Sequence, residues 1–127
     1  MKACIPFPMA LLCSASLWAN NVQISNVLLI NQDVVNNTYQ VKFDISWENS
    51  WRSSTLESNY DAVWIFIKYR AVDNPNWSHG NLRTTGFVAP TAGTISVPLE
   101  SGVIGYGAFL HRNANGIGNV NFTNIQL

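Results

Sequence analysis

From Tyr39 to Trp47 the chain alternates without interruption. Tyr39, Val41, Phe43, Ile45 and Trp47 fall on one side; Gln40, Lys42, Asp44 and Ser46 fall on the other. A period of two is the mark of a strand with one buried face. A second run, Val63-Trp64-Ile65-Phe66-Ile67-Lys68-Tyr69, is apolar in both phases, which predicts a strand covered on both faces. These two segments, Thr38–Trp47 and Asp61–Val72, are expected to form the middle of the fold. The polar stretch Glu48–Tyr60 would connect them.

The remaining sequence reads as strands added around this pair. Asn21–Ile30 carries its apolar residues at Val22 and Ile24, then at Val27 and Leu29. The change of phase at Asn26 is the slip that a β-bulge produces. Trp77–Thr84, Thr94–Leu99, Val103–Arg112 and Asn119–Leu127 are further strands, separated by turn chemistry at Asn36-Asn37, Asp73-Asn74-Pro75-Asn76 and Asn113–Gly116. Gly105, Gly107 and Ala108 point to close backbone approach or a bend inside Val103–Arg112. Ile24-Ser25-Asn26-Val27-Leu28-Leu29 is echoed by Phe122-Thr123-Asn124-Ile125-Gln126-Leu127, with the same change of phase at the Asn. Two strands with similar bulges explain the echo more simply than a duplicated motif. The expected fold class is all-β, a two-layer antiparallel β-sandwich of about seven to eight strands.

Residues 1–19 read as a secretory signal peptide, with Lys2 ahead of an apolar run and small residues before Asn20. The run is interrupted by Pro6 and Pro8 and is too short to span a bilayer. Residues 20–127 are then a single β-sandwich domain that is secreted, periplasmic or at the cell surface. Cys4 and Cys13, the chain's two cysteines, would leave with the signal, so the domain is expected to stand without a disulfide. Seven basic residues balance seven acidic ones. That balance gives no electrostatic footprint for a phosphate backbone, so nucleic acid is not an expected partner. No integral membrane segment is expected after signal cleavage.

The best candidate site is Trp47-Glu48-Asn49-Ser50-Trp51-Arg52, with Asp61 beside it. Aromatic rings cover the apolar face of a sugar while fixed polar groups read its hydroxyls. Trp51, Arg52, Glu48, Asn49 and Asp61 are the candidate ligand-binding residues. The plain alternative makes Trp47 core, Trp51 a cover over the sandwich end, and Arg52 an ion-pair partner of Glu48 or Asp61. Glycoside hydrolysis needs paired carboxylates in opposed environments. Asp44, Glu48 and Asp61 show no spacing that sets them up. His79 and His111 stand alone as metal ligands, and Asn113-Ala114-Asn115-Gly116 lacks the charged oxygens of a calcium loop. No catalytic residue, metal or cofactor is expected.

The strings DISWENSWR and SNYDAVWIFIKYR, the Trp77-Ser78-His79 strand, Gly86–Pro90 and the closing YGAFLHRNANGIGNVNFTNIQL resemble a β-rich domain of exported, Bacteroidetes-type bacterial proteins. There the domain precedes one similar to the formylglycine-generating, sulfatase-modifying-factor family. The likeness runs over residues 21–127. His111-Arg112-Asn113-Ala114-Asn115-Gly116 departs from a Tyr-Arg-Asp-Ala-Asp-Gly pattern and loses two carboxylates, which weakens any ion role. The catalytic domain of those proteins is expected to be absent from this chain, so its activity does not carry over, and the chain reads as a non-catalytic accessory module. The expected function is binding of a cell-surface glycan or a protein partner. A small glycan-active hydrolase using Asp44, Glu48 or Asp61, and a truncated N-terminal fragment of a larger surface enzyme, are the alternatives.

Overall fold

The computed structural model describes residues 20–55 and 58–127; the segment read as a signal peptide lies outside them. The described residues contain no helix and eight strands. These are β1 (Gln23–Asp33), β2 (Thr38–Arg52), β3 (Ala62–Ile65), β4 (Ile67–Tyr69), β5 (Ser78–Gly80), β6 (Gly93–Ser96), β7 (Ala108–Arg112) and β8 (Gly116–Gln126). The fold is all-β and antiparallel throughout. One sheet has the order β1-β2-β8, a second β3-β7-β6, and β4-β5 forms a separate two-stranded ribbon.

The alternation in β2 does what its period demands. Phe43, Ile45 and Trp47 are buried, while Lys42, Asp44 and Ser46 face outward and are partly exposed. They meet Val120, Phe122 and Ile125 of β8 in one core cluster, which also takes Ile65, Ile95, Ala108 and Leu110 from the second sheet. Trp47 anchors it: the indole is 1% exposed and packs edge-on against Phe122 at 5.5 Å between ring centroids. β1 contributes nothing to this cluster. Its Ile24 pairs opposite buried Ile45 yet stays 54% exposed.

Asparagines set the register of the first sheet. Asn26, Asn31, Asn49 and Asn124 all have positive φ, between 51° and 59°, a region Asn enters more readily than most residues. Each sits where one strand advances three residues against two on its neighbour, which is a β-bulge. The bulge expected at Asn26 is present, and its echo at Asn124 lies on the opposite side of β2. Asp44 serves both. Its carboxylate accepts the Asn26 side-chain amide at 2.6 Å and the Asn124 backbone N–H at 2.8 Å. The echo is therefore a matched pair of bulges tied to one residue of the central strand.

Those bonds carry a pH dependence. The Asn26 amide, then the Asn124 N–H, hold the Asp44 carboxyl below its ordinary value of 3.8. In the β1–β2 turn the Asn36 side chain and N–H do the same for Asp33. A carboxyl whose folded-state pKa is depressed stabilises the fold above its unfolded pKa, and that contribution is lost as pH falls through the folded value. Stability is expected to fall below about pH 4, and Asp44→Asn should remove part of that slope. Urea titrations at pH 3 and pH 6 check this; an unchanged slope in Asp44→Asn would contradict the assignment.

Two expectations need correction. Asp61–Val72 is not one continuous central strand: it breaks at Phe66 into β3 and β4, and β3 lies at an edge with β7 in the middle. Nor is it covered on both faces. Val63 and Ile65 face the core, but Trp64 and Phe66 remain 44% and 49% exposed. The apolar outer phase of this segment has no layer over it among the described residues.

Candidate ligand-binding site

The Glu48-Asn49 bulge decides how the sequence-predicted site residues are arrayed. It inserts one residue between Trp47 and Ser50 against β8. Ser50 thereby becomes fully buried and Trp51 turns outward, 40% exposed opposite Ile117. Without the extra residue Trp51 would share the buried face of Trp47. The two tryptophans of this motif therefore lie on opposite faces of one strand and form no common platform.

Of the polar residues of the motif, Glu48 and Asp61 both bond the Asn20-Asn21 pair. Glu48 accepts the Asn21 side-chain amide at 3.1 Å. Asp61 accepts the Trp47 indole N–H at 2.8 Å and the Asn20 amide at 3.5 Å. Asn49 is the bulge residue itself, its N–H donating to Asn119 Oδ1 at 3.4 Å. Arg52 pairs with neither Glu48 nor Asp61. Its Nη1 donates to the Arg112 carbonyl at 2.9 Å and lies 3.0 Å from His111 Nδ1.

Arg52 belongs to a brace between the two sheets. The Tyr60 ring stacks on buried His111 at 4.1 Å, and the Arg52 guanidinium sits over the same Tyr60 ring at 5.1 Å. Arg112 continues the brace, donating to Ser50 Oγ at 3.2 Å and to the Gly118 carbonyl at 3.0 Å. These bonds fix the β2–β3 connection. Asp44, Glu48 and Asp61 engage different groups, and no three of His, Cys, Asp and Glu converge as a metal set among the described residues.

Another surface does converge. On the outer face of the second sheet Trp64 of β3 pairs opposite Phe109 of β7, their rings 4.6 Å apart. Phe66, just beyond β3, meets His79 of β5 at 5.9 Å. Tyr106 precedes β7. Trp64, Phe66, His79 and Tyr106 line an open cleft of about 450 Å³, within the usual range of small-molecule sites. Trp64, Phe66, Tyr106 and Phe109 are each 41–49% exposed.

Gly107 seats the central ring. A methyl group at that position would lie 2.6 Å from Trp64 Cε2 and 2.7 Å from the Ile65 carbonyl oxygen. The indole therefore rests on bare backbone, with Phe109 beside it. An exposed ring held this way has little freedom left to lose on meeting a ligand. Of the two glycines, Gly107 signals this site, while Gly105 approaches Leu82 and Val97 instead. The convergence of His79 with Tyr106 was not legible, because those residues are far apart in the chain.

No helix among the described residues is long and apolar enough to cross a membrane. Compared with protein-family models, curated proteins and solved structures, the chain matches none.

Proposed function

We propose that this chain is an exported, non-catalytic accessory module that contacts a cell-surface glycan or a protein partner. The observation that carries this reading is the uncovered aromatic face: Trp64, Phe66, Tyr106 and Phe109 stay half exposed although the core buries rings as large as Trp47. Exposed, grouped apolar rings mark recognition surfaces. The contact surface moves with the rings, from the Trp51–Arg52 segment to the β3–β7 face.

The test is capture of cell-surface material, prepared from the organism that makes the protein, by the immobilised full chain. Trp64→Ala is expected to reduce capture about tenfold or more, as loss of a central aromatic anchor does. Loss in Trp51→Ala with full capture by Trp64→Ala would return the contact to β2.

A further inference from the structure

We infer that the cleft between β3, β5 and the start of β7 is a saccharide site, with Trp64 as the platform for one sugar ring. This rests on the binding-module reading and names the ligand class for the same surface.

Three observations carry it. First, the cleft combines apolar ring faces with polar tips. Trp64, Phe66 and Tyr106 offer faces for the C–H side of a pyranose, while the Tyr106 hydroxyl and the His79 ring nitrogens offer hydrogen bonds. The surrounding register adds a short hydroxyl: Ser96 lies opposite Phe109.

Second, the size suits a small ligand. A volume of about 450 Å³ accommodates a ligand of one or a few rings.

Third, the charge suits a sugar better than a cation or a nucleic acid. None of the four lining residues is a carboxylate, so a quaternary ammonium would meet rings without a counter-charge. A nucleic acid would need a basic track, and the chain is neutral overall. Lys68 pairs opposite His79 at the rim, placing one cation where an acidic substituent of a sugar could meet it.

The experiment is affinity electrophoresis of the full chain through gels holding a soluble β-glucan, xylan, galactomannan or polygalacturonate. Retardation is expected in at least one gel. Both Trp64→Ala and Tyr106→Ala should weaken it about tenfold or more, while Val72→Ala, at a fully exposed position, should leave it unchanged. Retardation in the neutral gels assigns an uncharged sugar; retardation by polygalacturonate alone assigns an acidic one. Tyr106→Ala decides the matter if Trp64→Ala loses its cooperative melting transition. No retardation in any gel, or retardation that survives both substitutions, overturns the inference.

Periodate separates this failure from failure of the broader reading. Trp64-dependent capture of cell-surface material that survives periodate but not protease would discard the sugar and keep the binding module. Absence of any Trp64-dependent capture would discard both.

Discussion

Replacing Trp47 by alanine is expected to lower the unfolding free energy by about 3–5 kcal/mol, the usual cost of emptying a large aromatic site in a core. Domains of this size are commonly stable by only about 5–15 kcal/mol, so the variant should retain a small part of the original margin. The reason is the indole's double role. Its ring faces Phe122 inside the shared cluster, and its N–H donates to Asp61, which leads the chain from the β2–β3 connection into β3. Trp47→Phe is the milder change. It keeps an aromatic ring but removes the donor to Asp61 and leaves part of the indole's volume empty, at an expected cost of about 1–3 kcal/mol. Urea unfolding followed by circular dichroism gives both values, as a shifted midpoint at constant m. A loss below about 1 kcal/mol for Trp47→Ala would mean that the first sheet is not held through this residue.

The second large effect is expected at Gly107. Alanine there would place its methyl group against the Trp64 indole and 2.7 Å from the Ile65 carbonyl oxygen. The indole can swing away; the carbonyl belongs to the strand paired with β7 and can move only by disturbing that pairing. Overpacking of this kind costs about 1–3 kcal/mol, and the displaced ring should reduce ligand retention as severely as Trp64→Ala. The Gly107→Ala, Trp64→Ala double variant should recover part of the stability lost by Gly107→Ala alone, because one of the two clashes has gone. Strict additivity of the two substitutions, with retention intact in Gly107→Ala, would show that the backbone at Gly107 does not position the ring.

Much of the architecture was legible because β2 follows a simple rule. Phe43, Ile45 and Trp47 are buried as their spacing requires, and the phase change at Asn26 marked a real bulge. The same rule misled one step later. Glu48-Asn49 reads as the start of a loop, yet a bulged strand also changes phase there, so β2 runs on to Arg52. That one residue puts Trp51 and Trp47 on opposite faces of the strand. The Val63–Tyr69 run shows the other limit. Period alone distinguishes apolar from polar faces; it does not say whether a second layer exists to cover an apolar one. Here Ile65 is covered and Trp64 is not. The cleft itself joins residues from β3, β5 and the segment before β7, a juxtaposition that depends on strand order and is invisible to any local pattern.

The asparagine kinks of β1 have a consequence for how copies of this chain meet. Among the described residues β1 is an outermost strand with Ile24, Leu28 and Leu29 exposed, an edge of the kind that favours strand-to-strand templating. Asn26 and Asn31 break its free row of backbone donors and acceptors into short pieces. A neighbouring molecule finds no straight ladder to extend. Strand-to-strand templating along this rim is therefore disfavoured at each kink.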